Sequence, residues 1–523
     1  MTFGSSGNRR GLALGVKRGF KRATRVDAPP PAAPGERILD GIPGFLVWVS
    51  LILVSVGAVY APIPVVTVGA LIGAYMAVRM LMAATANLMG LRRIRQWERT
   101  DWRAEYERRK TAHSLAWEQV RHVIIIPNYK EELSVLRGTL TRLAASPLAR
   151  NQIIVALAME AGDPNAASTA ATLRAEFENQ FLSILPTLHP KGIAGEVAGK
   201  SSNVAWSARH VAKTLVDEMG ISLDQTVVTV GDADSILHVH YLECLNCLFA
   251  VSPKRHMAIW QAPIRYNGNV WDVHPSLAIV QAYSAAWELA YMSGSWWQAL
   301  PMSTYSLGMR LAADVGFWDA NVIAEDWHMF IKCYFGRQGL LEFAPIYLPF
   351  SACSVTGDTF LESCRNRYTQ TLRHAWGAKE IGYTIKRMVE KPIPLHRALR
   401  VLLRVSHDNL MAGAGWVIMT VGTQLPLVLN PKLFSERFFA PEFLLIQMSL
   451  LMVITVGILF YLIDLKMRPP RPRAVTLVDI GMTLSSFVIL GFLVLILVAL
   501  PVIEAQTRLM LGVPLEYKVA RKV

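Results

Sequence analysis

Two aspartates, Asp232 and Asp234, follow an apolar run in the stretch VVTVGDADSILHVH. Aspartate is a common turn residue, so a polar turn closing a strand is one reading. The other is a divalent-cation site. A hard cation takes oxygen ligands, and one or two carboxylates suffice when phosphate oxygens complete its shell. Two other apolar runs end the same way. Val120–Ile126 leads into Pro127-Asn128-Tyr129-Lys130-Glu131-Glu132, and Ile153–Met159 leads into Glu160 and Asp163. Further on, Gln370 and Arg373 are three residues apart and share one helix face. The guanidinium fork of such an arginine matches the paired oxygens of a diphosphate.

These residues need elements to hold them. Val120–Ile126, Ile153–Met159, Val227–Val230 and Met257–Gln261 read as buried strands. Helical patterns at Glu131–Ala145, Ala166–Phe181 and Ser202–Glu218 lie between the first three. Strands alternating with helices predict an α/β unit whose sheet is mostly parallel. Ligands bind such sheets beyond the carboxyl ends of the strands. Three polar strand exits on one edge therefore favour one shared site over three unrelated turns.

The chain has 523 residues, of which 52% are hydrophobic, and that excess is concentrated near both ends. Gly44–Pro62 and Val65–Leu88 are each long enough to cross a bilayer, as are Asn409–Leu429, Glu442–Ile463 and Leu477–Ile503. Arg92, Arg93 and Arg95, the segment from Lys466 to Arg473 and the basic N-terminal tail (Arg9, Arg10, Lys17, Arg18, Lys21, Arg22, Arg25) should face the cytoplasm. Five spans then place the middle region in the cytoplasm and the C-terminus outside. Arg508, Lys518, Arg521 and Lys522 fit that poorly, unless the tail lies on the outer surface or the span count is off by one. Arg79 falls inside the second span, towards its cytoplasmic side, where snorkelling is the expected structural role. The net charge of +14 suits anionic lipid and an anionic substrate. No interleaved basic and aromatic platform for nucleic acid is present. Cys244 and Cys247 have metal-like spacing but no second pair, so they read as packing in a helix.

The order of motifs resembles the membrane-embedded family 2 glycosyltransferases of the GT-A fold, the group that includes cellulose and hyaluronan synthases. VIIIPNYKEE resembles the first-strand motif, with Lys130 where asparagine is common. GKSSNVAW (Gly199–Trp206), GDADS, IAEDWHMF (Ile323–Phe330) and QTLRHAWG (Gln370–Gly377) resemble the Gly-Lys, Asp-x-Asp, Glu-Asp and Gln-x-x-Arg-Trp segments. In the last, His374 replaces the tryptophan and Trp376 follows two residues later. The implied fold is a Rossmann-like, mixed but mostly parallel GT-A sheet domain between N- and C-terminal transmembrane helices. The expected boundaries are a basic cytoplasmic tail (1–41), two transmembrane helices (42–90) and a linker helix (91–118). The cytoplasmic GT-A domain (119–385), an interfacial helix (386–408), about three transmembrane helices (409–503) and a C-terminal tail (504–523) follow.

The resemblance also implies roles. Asp326 is the general base, although an acidic pair at a helix N-terminus would also stabilise the macrodipole. Pro127, Tyr129, Glu131, Glu160, Lys200, Asp232, Gln370 and Arg373 contact the donor, and Glu325 and Trp376 the acceptor. Asp232 and Asp234 hold Mg²⁺ or Mn²⁺, with Asp234 the favoured ligand. His238 and His240 read as solvated residues at a helix start. The aromatic-rich segment Ala282–Leu300 either lies at the membrane interface or forms an acceptor wall. The expected activity is inverting transfer of a sugar from a nucleotide-diphosphate sugar, with UDP the commonest carrier in the family and GDP next. The acceptor is a polysaccharide or a lipid-linked saccharide at the cytoplasmic face of the inner cell membrane. His374 and the lack of a gating segment between the late spans tilt the reading towards a single addition. A non-catalytic GT-A scaffold is the alternative, and it gives no reason for Asp232, Asp234 and Asp326 together.

Overall fold

The structure is a computed structural model that describes residues 34–437 and 440–515. The basic N-terminal residues up to Arg25, and Lys518, Arg521 and Lys522, lie outside the described residues. The strands are β1 (Arg121–Asn128), β2 (Ile153–Glu160), β3 (Ser183–His189), β4 (Thr226–Val230), β5 (Ala258–Gln261), β6 (Ile264–Arg265), β7 (Tyr305–Gly308), β8 (Glu342–Pro345) and β9 (Phe350–Ser351). Seven of them form one sheet in the order β3-β2-β1-β4-β7-β5-β8, and β6 pairs with β9. The pairs β1–β2, β1–β4, β2–β3 and β5–β8 are parallel. Strand β7 runs antiparallel to both its neighbours, β4 and β5.

The sheet is buried on both faces because its apolar runs have no polar alternation. Ile124, Ile126, Val155 and Leu157 point into one core with the Leu133–Ala144, Ala166–Phe177 and Tyr241–Val251 helices. Val123, Ile125, Ile154 and Ala156 point into the other with the Lys200–Asp217 and Glu325–Gly336 helices. This is the period of two expected of a strand. Cys244 and Cys247 are both packed in the first core. The sequence pattern misses β3, β7 and β8 of this sheet and the pair β6–β9. Strand β3 alternates polar and apolar residues at the sheet edge, and β7 has only four residues. Strand β7 lies between β4 and β5.

Four described helices are long and apolar enough to cross a membrane: Gly35–Tyr60, Pro62–Trp97, Pro441–Met467 and Leu490–Leu511. A fifth candidate is the bent pair Leu395–Gly415 and Ile418–Leu429, broken by 43°. The expected span Leu477–Ile503 is divided, with a separate helix at Leu477–Val488. The expected interfacial helix is also divided, into Lys379–Glu390 and Leu395–Leu410. Its break falls at the segment Lys391–Pro394, where proline removes a backbone donor.

Two expectations are corrected here. Arg79 does not snorkel. It is 5% exposed, and five rings (Tyr75, Trp287, Tyr291, Trp296 and Trp297) have their centroids 5.1 to 5.9 Å from its guanidinium carbon. Its Nη2 donates to the Tyr291 hydroxyl at 2.8 Å, and its Nη1 lies 2.8 Å from His407 Nε2. Aromatic faces supply the negative potential that a solvated headgroup region would otherwise provide. The C-terminal end of the last helix is the second correction. Gly512 abuts Arg37, and Leu515 packs beside Trp376, so this end returns to the side of the sheet domain. The start of the first helix is tied to that same side through Lys379–Asp40 at 3.5 Å and Lys386–Glu36.

Candidate active site

The strand exits, the Lys200–Asp217 helix and the Glu325–Gly336 helix surround one cavity of about 480 Å³. Pro127, Tyr129, Glu131, Glu160, Lys200, Asp232, Glu325, Asp326 and Arg373 all line it. Lys130, at the tip of the first strand exit, has a φ of 61°. Asparagine tolerates that left-handed conformation better than most residues, and here a lysine adopts it. Here Asp163 Oδ2 accepts the Lys130 amide at 3.3 Å and holds the turn.

Lys200 is the electrostatic centre of the cavity. It begins its helix directly after Gly199, and Asn203 anchors that first turn by donating to the Ala158 carbonyl of β2 at 2.7 Å. Lys200 Nζ lies 2.9 Å from Asp232 Oδ1 and 2.8 Å from Glu325 Oε1, and donates to the Ser303 carbonyl at 2.8 Å. Burial opposes its charge, but the two carboxylates prevail and raise its pKa.

Ser303 joins the other groups. Its amide donates to Asp326 Oδ2 at 3.0 Å and its hydroxyl to Asp232 Oδ2 at 2.9 Å. The residue has a φ of 60°, an uncommon conformation for serine, and it aims three backbone and side-chain groups at three charged residues. Asp326 Oδ1 also accepts the Trp327 amide at 2.8 Å. Burial pushes the Asp326 carboxyl up to about 6, and the charge of Glu325 adds to the rise. Lys200 and the two amides pull in the other direction. A carboxylate with that pKa is ionised at neutral pH yet basic enough to take a proton.

Glu160 is tied to β3. Its Oε2 lies 3.0 Å from His189 Nδ1, and His189 Nε2 lies 2.8 Å from Glu196 Oε2. Burial works against a charged imidazole there, but the two carboxylates outweigh it and raise the His189 pKa. His189 thereby fastens the 190–199 connection, which carries the cavity residue Lys191, to the strand exit.

A family model described as glycosyl transferase family group 2 matches residues 227–502, just over half the chain. The chain belongs to glycosyl transferase family group 2. No curated protein matches it. Among solved structures it resembles the mannosyltransferase PcManGT from Pyrobaculum calidifontis, determined in complex with GDP-Man and Mn2+. That likeness has 15% identity and a TM-score of 0.38, and covers 75% of this chain and 99% of the other. It also resembles residues 1–349 of TarS from S. aureus in complex with UDP-GlcNAc, at 10% identity and a TM-score of 0.32, covering 71% of this chain and 91% of the other.

In this glycosyltransferase four expected site residues are placed differently from their expected roles. Asp234, the favoured metal ligand, is not among the residues lining the cavity, and its Oδ2 accepts the Cys353 amide at 2.9 Å. Asp232 is the carboxylate of the pair that faces the cavity. Glu325 reaches the cavity, but one oxygen is held by Lys200 and the other accepts the Tyr305 hydroxyl at 2.6 Å, so it braces the site from behind. Gln370 does not line the cavity and accepts a hydrogen bond from Arg367 Nη1 at 3.1 Å. Trp376 does not line it either. The α-helix ends at Ala375, the chain tightens into a 3₁₀ turn, and Trp376 packs with Leu372, Ala375, Val502 and Ala505. His374, in the place of the motif tryptophan, is exposed and lines the cavity.

His238 and His240 are half-buried and not among the lining residues, and His240 lies 3.0 Å from Glu243. From the aromatic-rich segment, Ser284 reaches the cavity while Trp296 and Trp297 surround Arg79. Ser303 and Arg367 are the functional candidates that sequence reasoning missed. Nothing in the composition around Ser303 announces its backbone conformation. Arg367 was legible, since it precedes Gln370 by three residues on the same helical face.

Proposed function

We propose that this enzyme transfers a sugar, with inversion, from a nucleotide-diphosphate sugar to a saccharide or lipid-linked saccharide at the cytoplasmic membrane face. The observation carrying this reading is the convergence of Asp326, Asp232 and Lys200 on Ser303 at the edge of one cavity. Asp326 takes the acceptor hydroxyl proton. The acceptor oxygen then forms its bond to the anomeric carbon as the bond from that carbon to the diphosphate oxygen breaks. The nucleoside diphosphate leaves with the bonding pair. Lys200 and Arg373 face that developing charge, and fixed charges of this kind are usually the largest catalytic contribution. Glu160 and Tyr129 sit at the strand exits suited to the nucleoside.

The residues fit a divalent cation at the one-carboxylate level, through Asp232, with Asp234 two positions on and turned inward. When bound, Mg²⁺ or Mn²⁺ supplies Lewis-acid neutralisation of the departing diphosphate. The cytoplasmic assignment is supported by the basic flanks. Arg93 Nη1 donates to Tyr347 of the sheet domain at 2.5 Å, and the Trp271 indole donates to the Pro469 carbonyl at 3.2 Å within the Lys466–Arg473 connection. Exposed His374 in place of the motif tryptophan supports one addition per acceptor over processive synthesis.

The test is turnover by reconstituted enzyme offered UDP- and GDP-sugars with Mg²⁺ or Mn²⁺, beside Asp326→Asn. The expected result is metal-dependent release of one nucleoside diphosphate, reduced by about 10²–10⁴-fold in the variant. Undiminished release by Asp326→Asn would remove Asp326 from the role of base.

A further inference from the structure

Tyr266, Ser284, Arg367 and Asn409 also line the cavity. Ser284, Arg367 and Asn409 belong to helices that pack on the apolar segments. Ser284 lies on the Pro275–Ser293 helix, whose Ala286 and Ala290 pack with Met80 and Phe460 of two spans. Arg367 lies on the Phe360–Ala375 helix, whose Cys364 and Tyr368 pack with Leu493 and Leu497. The Tyr368 hydroxyl donates to Glu504 Oε2 at 2.6 Å, and Gln506 Nε2 donates to the Asn409 carbonyl at 2.9 Å.

Arg367 contrasts with Lys200. Among the described residues its hydrogen-bond partner is the neutral amide of Gln370, and no carboxylate lies in ion-pair contact with it. Its Nε is buried with no partner at all. The residue as a whole is half-buried, and an arginine partly withdrawn from water without an anion is costly, so proteins keep such a group where something else supplies the charge. We propose that Arg367 forms an anion subsite at the acceptor end of the cavity, so that the acceptor carries a phosphate or carboxylate close to the hydroxyl that is glycosylated. The proposal rests on the glycosyltransferase reading and deepens it by naming the acceptor class. In the proposed reaction the donor diphosphate has Lys200, itself paired with Asp232, as its cation. Guanidinium is suited to the task, since its planar fork binds phosphate or carboxylate through two donors.

The experiment uses the full chain in phosphatidylcholine nanodiscs. Thermal stability and intrinsic tryptophan fluorescence are followed with decyl phosphate, decyl glucuronide, neutral decyl glucoside and inorganic phosphate. Binding of an anionic decyl compound but not of the glucoside is expected. Preference for decyl phosphate assigns the charge to a lipid carrier, preference for the glucuronide assigns it to the sugar, and inorganic phosphate alone assigns it to a free anion. Arg367→Met should weaken the anionic probe by at least about tenfold, because hydrogen bonds to charged groups are involved. The same variant should melt higher than wild type without ligand, since an unpaired, half-buried charge is gone; a merely structural arginine would lower the melting point. Arg367→Lys should keep part of the binding. UDP and GDP binding with Mn²⁺ should be unchanged in Arg367→Met. Loss of nucleotide binding in that variant, or equal binding of glucoside and anions, would overturn the subsite. Failure of wild type to bind any nucleotide while anion binding persists would count against the donor reading and leave the subsite standing.

Discussion

Lys200 and Arg367 are cations on the wall of one cavity, and their surroundings are opposite. Lys200 touches two carboxylates and a carbonyl within 2.9 Å. Arg367 has one neutral amide and a bare Nε. The cavity is therefore electrostatically closed at Lys200 before any substrate arrives and open at Arg367. A closed end suits a leaving group common to every turnover, because prearranged charges need no reorganisation at the moment of reaction. An open end suits a ligand that brings its own charge.

Removing Lys200 should break this contrast most strongly. Lys200→Met leaves Asp232 and Glu325 facing each other without a cation, and loss of one member of a buried pair costs about 3–5 kcal/mol. Thermal denaturation would register that as a large fall in melting temperature, and adding Glu325→Gln should recover part of it. No recovery would show that the two carboxylates do not repel across the site. Arg367→Met is expected to move the melting temperature in the opposite direction.

The pH profile sharpens the comparison at the closed end. Asp326 must be ionised to accept a proton, and its carboxyl is held up at about 6. The value of kcat/KM should fall by about tenfold for each pH unit below about 6. Because the charge of Glu325 helps to raise that value, Glu325→Gln should shift the acid limb to lower pH. A limb that stays in place would mean that burial alone sets it.

Ser303 gives the smallest expected effect and the finest test. Ser303→Ala and Ser303→Gly both delete the hydroxyl on Asp232, and each should lower kcat/KM by about tenfold. Glycine accepts a φ of 60° without strain, so the glycine variant should be more stable than the alanine variant by about 1 kcal/mol. Equal stabilities would indicate that the turn relaxes once the hydroxyl is gone.

Much of this was legible from residue order. The apolar runs at Ile124 and Val155 are buried on both faces and required helices on either side. Their polar exits, from Pro127 to Asp232, converge on one cavity because parallel strands bring their carboxyl ends to the same edge. Asp326 and Arg373 were found through the order of motifs. What failed was direction. Trp376 and Gln370 are within a few residues of Arg373, yet neither lines the cavity, because a change from α-helix to 3₁₀ turn or a step of three residues rotates a side chain to another neighbour.

The sequence by itself determined the alternation of strands and helices, the apolar ends and the set of charged residues available to the site. Those depend on local periodicity and composition, which a linear chain displays in full. The tertiary structure alone decided which charges are answered. Lys200 meets Glu325 across 125 positions of chain, and Arg79 finds rings on the Pro275–Ser293 helix and the loop after it. Arg367 meets no carboxylate among the described residues. Pairing of a buried charge is a matter of a few ångströms between distant segments, and only the folded chain sets that distance.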